Sequence, residues 1–510
     1  MQKTIEIING ITRHPDYRMK QPVNLEILAD EQIAIVGPNA GGKSRLVDII
    51  TGRYPLLMNE VRYDFTPSPL KMVSDNIKYI SFRDSYGDND SSYYYQQRWN
   101  QHDIDENTPT AGQILEETFL KVDQNNYYTL NEKEKETAHI RRLTLKEKLY
   151  KMFHLETLLD KYIILLSSGE LRKFQLTKTL LSDPRILIMD NPFIGLDAET
   201  RNQLSELLRT LTTETGLQVI LVLSKTNDIP DFITHVIPVD DLTVGDKQPR
   251  ESYLATLPGT HLSETETDRI KHLLQYPEKT DLPDLTDKDG CILKFNKVNI
   301  KYGNRTILKD LDWTVRKGEK WALSGENGAG KSTLLSLVCA DNPQSYACDI
   351  ELFGHKRGSG ESIWEIKKHI GYVSPEMHRA YLKDLPAIDI IASGLNDSVG
   401  LYVHPRPEQR QTCEWWMDLF GIGHLKDRTF LKLSSGEQRL CLLARAFVKD
   451  PELLILDEPL HGLDDRNREL VRNIINEFCS KDNKTLVMVT HYKEELPPVI
   501  THHLFLKKNK

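Results

Sequence analysis

Two stretches of the chain have the residues to cradle phosphate. Gly37-Pro38-Asn39-Ala40-Gly41-Gly42-Lys43-Ser44 and Gly325-Glu326-Asn327-Gly328-Ala329-Gly330-Lys331-Ser332 share the pattern G-x-x-x-x-G-K-S, with Thr333 next in the second. Glycines at these places let successive main-chain N–H groups turn inward around phosphate oxygens, and a following helix adds the positive end of its dipole. In this pattern Lys43 and Lys331 reach the β- and γ-phosphates of a nucleoside triphosphate, and the hydroxyls of Ser44 and Ser332 ligate Mg2+. An acid completes such a site. Asp190 and Asp457 each end an apolar run, Ile186-Leu187-Ile188-Met189 and Leu453-Leu454-Ile455-Leu456. A strand buried on both faces of a parallel sheet has that composition. Its terminal acid emerges at the carboxyl end of the sheet, suited to holding Mg2+ through water.

Each glycine stretch must therefore join a strand to a helix. Residues 32–36 and 321–324 supply the apolar strands, and residues 45–50 and 333–338 the helices. Two more blocks recur in the same order. Leu166-Ser167-Ser168-Gly169-Glu170 matches Leu433-Ser434-Ser435-Gly436-Glu437, and Gly195-Leu196-Asp197 matches Gly462-Leu463-Asp464. Four matching blocks in order mean a duplicated unit. The last three pairs share one offset and the first pair is set farther apart, so the first copy carries extra length between its first two blocks. Residues 241–290 are polar and proline-bearing and read as a linker with one short helix near Thr265–Leu274. The expected organisation is a first copy over residues 1–240, the linker, and a second copy over 291–510. Apolar strands alternating with helices predict an α/β fold, a mostly parallel sheet in each of two tandem P-loop NTPase domains.

Composition narrows the function classes. Lys and Arg total 66 against 74 for Asp and Glu, a net charge of −8. A dedicated duplex-DNA binder carries a basic excess, so this balance argues against nucleic acid as the partner. No uncharged apolar run is long enough for a membrane-spanning helix, and the start lacks the apolar stretch of a secretion signal. A cytoplasmic protein, at most peripheral on the inner face of the membrane, is the expectation. The six cysteines show no CxxC spacing, which points to reduced, structural thiols.

With its LSSGE loop ahead of the apolar strand and its GLD element after it, the sequence resembles the ABC-type ATPases over nearly its whole length. Their signature loop varies around LSGGQ, and GLD resembles their D-loop. The resemblance implies two nucleotide-binding domains closing head to tail on two ATP molecules. Ser434 and Gly436 would then face the ATP held by the first copy, and Ser167 and Gly169 the ATP held by the second. One chain would form both sites without dimerising. By the family pattern Glu458, after Asp457, polarises the attacking water, and His491 contacts the γ-phosphate; with Lys331 and Asp457 they form the expected hydrolytic site. The first copy has Asn191 and Ser224 at these places. An amide cannot accept a proton and serine is too short to replace imidazole, so the first site is expected to bind ATP and turn it over slowly.

Tyr302 resembles the aromatic that stacks on adenine; in the first copy His14 and Tyr17 are the candidates. The family's glutamine after an IGYV-type strand has no clear counterpart, Glu376 being the second copy's candidate and Ser81-Phe82-Arg83 standing in the first. Tyr93-Tyr94-Tyr95-Gln96-Gln97-Arg98-Trp99 reads as a partner-binding or self-packing insertion, Trp415-Trp416 as helical core, and His502-His503 as a surface pair. LSSGE, the YYYQQRW segment and Ser393–Tyr402 look most like tandem ATP-binding proteins of molybdate-transport or photorepair type. That implies a separate membrane permease carrying molybdate or a related oxyanion. A soluble ABC ATPase acting on the ribosome or nucleic acid, with no permease, is the alternative.

Overall fold

The computed structural model describes residues 2–57, 61–81, 109–125, 131–163, 166, 168–193, 196, 198–257, 267–268, 270–271, 290–302, 305–325, 328–339, 342–360 and 362–507. The chain divides into two compact units, which meet in sequence at residues 259–260.

The first unit holds β1 (Lys3–Gly10), β2 (Val23–Leu28), β3 (Ile33–Val36), β4 (Val61–Tyr63), β5 (Ile77–Ser81), β6 (Ile186–Asp190), β7 (Gln218–Leu223), β8 (His235–Asp240), β9 (Thr243–Val244) and β10 (Gln248–Pro249). β2, β1 and β4 form a small antiparallel sheet. The main sheet runs β10-β8-β3-β7-β6-β5, with β9 also on β8. β5, β6, β7, β3 and β8 are parallel. Alternation along β3 divides the core. Ile33 and Ile35 face the helix Lys43–Ile50 and the small sheet, alongside Leu46, Ile50, Ile5 and Ile27. Ala34 and Val36 face the opposite layer, with Phe119, Phe153, Phe174 and Leu208.

β9, β10 and the helix Arg250–Ala255 belong to this unit. The first copy thus extends past residue 240, into the stretch expected to be linker. Of the short helix expected near Thr265–Leu274, only four residues are described, and Ile270 lies in the core of the second unit.

The second unit repeats the plan with β11 (Cys291–Tyr302), β12 (Arg305–Arg316), β13 (Lys320–Gly325), β14 (Ile350–Leu352), β15 (His355–Lys356), β16 (Ile370–Val373), β17 (Leu453–Asp457), β18 (Thr485–Val489) and β19 (His502–Leu506). β12-β11-β14-β15 is antiparallel, and β16-β17-β18-β13-β19 is parallel. The second order matches β5-β6-β7-β3-β8 strand for strand. Tyr79 pairs with Ile188 as Tyr372 pairs with Ile455, so the duplication extends to register. Trp416 packs on Phe420, Phe447 and Phe478, the core role expected of it.

Candidate phosphate-binding and catalytic sites

In each unit the glycine loop leaves the carboxyl end of a central strand, β3 or β13, and turns into an eight-residue helix, Lys43–Ile50 or Lys331–Val338. Gly42 and Gly330 cap these helices at φ 109° and 96°, a left-handed backbone that favours glycine. The first glycine is required for space. A Cβ at Gly37 would lie 1.8 Å from the Val239 carbonyl oxygen, and one at Gly325 would lie 2.4 Å from that of Leu506. Pro38, Asn39, Ala40 and Gly41 carry the first loop, and Gly328 and the buried Ala329 lead into the second helix; Glu326 and Asn327 lie outside the described residues. The Lys43 ammonium donates to the carbonyls of Gly37 and Pro38 at 2.7 Å each, and the Lys331 ammonium to Gly325 at 2.7 Å. Both lysines are buried at the loop, while Ser44 and Ser332 stand exposed on the first turn, with Thr333 half-buried beside Ser332.

β17 delivers Asp457 beside the second loop, and Ser332 Oγ donates to its Oδ2 at 3.4 Å. A hydroxyl and a carboxylate converging at a helix N-terminus suit a hard, oxygen-seeking cation that keeps part of its water, so the donor set fits Mg2+. Glu458 follows at φ 48°. Its N–H donates to Val489 O at 2.9 Å, and its Oε1 lies 3.1 Å from His491 Nε2; its Oε2 is 3.5 Å from His461 Nδ1. Burial pushes the Glu458 pKa up, but the His491 hydrogen bond and the charges of His461, His491 and Arg439 outweigh it and hold the carboxyl well below its ordinary value. The group is therefore an ionised carboxylate at neutral pH, held between His491 and His461.

The first unit keeps the backbone and changes the chemistry. Asn191 stands at φ 49° with its N–H on Val222 O at 2.8 Å. Its amide nitrogen donates to Asp190 Oδ1 at 2.9 Å, and its amide oxygen accepts the Ser224 N–H at 3.1 Å. Tyr79 donates to the other Asp190 oxygen at 2.9 Å, a contact no sequence motif announces. Asn191 bridges the ends of β6 and β7 where Glu458 and His491 meet in the second unit.

Ser434 caps the helix Ser435–Phe447, accepting from Glu437 N at 3.3 Å while Glu437 Oε2 accepts the Ser434 N–H at 2.7 Å. Read as chemistry, the motif is also a capping box, Ser-x-x-Glu. Ser434→Ala is expected to lose about 1 kcal/mol of stability and lower the thermal midpoint by roughly 2–4 °C; scanning calorimetry of the two chains checks it. Gly436 is buried on the first turn. Ser167 lies outside the described residues, and of Gly169 only the backbone, within the helix Ser168–Leu180, is described. Asp464 of the GLD element caps the helix Asp465–Cys479, accepting from Asn467 N at 2.8 Å.

Tyr302 ends β11, and Glu376 lies in the helix Pro375–Ala380; their side chains are outside the described set. Tyr17 stacks on Tyr54 with ring centroids 4.2 Å apart, and His14 tilts against Tyr17 at 5.2 Å. The YYYQQRW segment is outside the described residues. His503 is exposed, and His502 stacks on Trp321 at 4.8 Å. Among the described residues no helix is long and apolar enough to cross a membrane.

The family profile described as ABC transporter matches residues 20–194 and 308–461. The chain is 36% identical over 507 residues to the ABC transporter ATP-binding protein ModF of Escherichia coli K12, covering 98% of this chain and 96% of that one. It is 29% identical to an uncharacterised ABC transporter ATP-binding protein of Schizosaccharomyces pombe, covering 96% of this chain and 94% of that one. Among solved structures it is similar to an archaeal ribosome recycling factor, aABCE1, crystallised with ribosomal stalk protein aP1. There the TM-score is 0.52 at 18% identity, covering 98% of this chain and 87% of that one. At that identity the likeness concerns the fold.

Proposed function

The chain belongs to the ABC transporter family as an ATP-binding protein with two nucleotide-binding domains, and on that premise we propose that it is an asymmetric ATPase energising a separate membrane permease. The observation that carries the asymmetry is the replacement of the Glu458–His491 pair by Asn191 and Ser224 on matched backbones. ATP binding draws the two halves together. Each site combines one copy's glycine loop and acid with the other's signature loop, Ser434 and Gly436 serving the first site and Ser167 and Gly169 the second. Lys43 and Lys331 neutralise γ-phosphate charge; Ser332 and Asp457, and at the first site Ser44 and Asp190, would hold Mg2+, which would supply further positive charge against the phosphate oxygens. Glu458 orients the attacking water and His491 the γ-phosphate. Hydrolysis there reopens the halves, while the ATP at Lys43 persists as a clamp.

In the Glu458→Gln background, Asn191→Glu with Ser224→His is expected to restore turnover about 10²-fold above that background. Either change alone is expected to restore none. Phosphate release by the four chains checks this.

The resemblance to molybdate-transport tandem proteins and the likeness to an ABC transporter ATP-binding protein support the transporter role, with molybdate or a related oxyanion as cargo. Tagged Glu458→Gln chain, held closed with ATP and recovered from gently solubilised cells, should bring down an integral membrane protein in stoichiometric amount. Ribosomal proteins or nucleic acid in its place would establish the permease-free alternative.

A further inference from the structure

Arg439 lies on the second turn of the helix Ser435–Phe447 and is 1% exposed. A buried guanidinium is costly unless its donors are satisfied, and here they reach main chain of two other functional segments. Nη2 donates to the carbonyls of Asp457 at 3.0 Å and Glu458 at 2.5 Å, Nε to that of Pro459 at 3.3 Å, and Nη1 to that of Ser374 at 3.0 Å. The first three are consecutive residues of the turn that carries the water-orienting carboxylate. Ser374 follows β16, where the family's glutamine segment begins, and the helix itself starts at the signature loop.

That turn is strained. Glu458 sits at φ 48°, a backbone that costs a non-glycine residue of order 1 kcal/mol or more and persists only where its surroundings impose it. Three adjacent carbonyls aimed at one rigid, planar donor set are such an imposition, and lysine, a single flexible point of charge, has no equivalent geometry. Burial pulls the Arg439 pKa down to about 10 against the charges of Glu458 and Asp457, which leaves it cationic at neutral pH. In the first unit Arg172, 5% exposed, donates likewise to the carbonyl of Pro192, next to Asn191 at φ 49°.

We propose that Arg439 is a positioning residue for hydrolysis, fixing the Glu458 turn to the signature helix so that the carboxylate holds its water in line. The inference rests on the proposed reading that Glu458 orients the attacking water. A displacement of the carboxylate by about 1 Å is expected to cost on the order of 10²-fold in rate. Arg439→Met, which keeps the volume and removes the donors, should lower kcat by about that factor with little change in the KM for ATP, and Arg439→Lys should recover only a minor part.

The decisive comparison is non-additive. If Arg439 acts through Glu458, the chain carrying both Arg439→Met and Glu458→Gln turns ATP over no more slowly than Glu458→Gln alone. Losses that multiply, or an Arg439→Met chain with unaltered kcat, overturn the proposal. Should Arg439→Met not fold, Arg439→Lys enters the same cycle, where non-additive losses again support the proposal and multiplying losses overturn it. A Glu458→Gln chain with full activity would instead overturn the underlying reading of the site, so the two failures are distinguishable.

Discussion

Glu458→Gln is expected to bind ATP as the unaltered chain does and to turn it over about 10²–10⁴-fold more slowly. The substitution keeps length and volume and removes the negative charge that Oε1 presents 3.1 Å from His491 Nε2. An amide still accepts a hydrogen bond, so the turn survives, but it cannot take a proton or polarise water as a carboxylate does. Asn191→Ala should change steady-state turnover by less than about threefold, since the native side chain there is already an amide without proton-accepting capacity. Phosphate release at saturating ATP, beside nucleotide binding on the same samples, measures both. Equal losses from the two substitutions would refute the asymmetry.

Gly37→Ala is expected to destabilise the chain by about 3 kcal/mol or more and to lower the thermal midpoint by roughly 6–12 °C, with loss of nucleotide binding in the first copy. The added methyl would meet the Val239 carbonyl oxygen at 1.8 Å. Val239 lies on β8, bonded to β3 and to β9, so the obstruction is main chain of a central strand and cannot rotate away. Gly52→Ala makes a useful contrast. Gly52 has φ 67° but meets only Tyr63 Oη at 3.7 Å, so the alanine there carries backbone strain of about 1 kcal/mol with no clash. Calorimetry that ranked the two substitutions in the opposite order would refute the steric account.

Much of this was legible in the residues because some patterns have one physical solution. Glycines ahead of Lys43 and Lys331, and apolar runs closing on Asp190 and Asp457, demand a loop between a buried strand and a helix. The difference between Glu458 and Asn191 is likewise written in residue type. The strands β9 and β10 were not legible. They are two residues each and paired through main chain, too short to leave an alternation to read. Arg439 was hidden for another reason: an arginine in the second turn of a helix is ordinarily on a solvated face, and its partners are carbonyls, which carry no signature in sequence. Tyr79 gave no sign either, because a tyrosine in a strand reads as packing until the register puts its hydroxyl at Asp190. Ser434 and Glu437 were visible, but as chemistry, while the structure shows that they also begin a helix.

The seats of the two glycine loops impose an order of events during synthesis. Gly37 rests against Val239, and Gly325 against Leu506, each on a strand that arrives last within the parallel core of its own unit. A growing chain at about 5–20 residues per second therefore leaves each loop without its backing until that strand has been made. The first loop closes while the second half is still being translated; the second must wait until Leu506 has emerged. A ribosome that stalls anywhere between those points leaves a nascent chain with a seated Lys43 loop and no seated Lys331 loop. On the proposed reading of the two sites, such a fragment has a place to hold nucleotide and lacks the site that hydrolyses it.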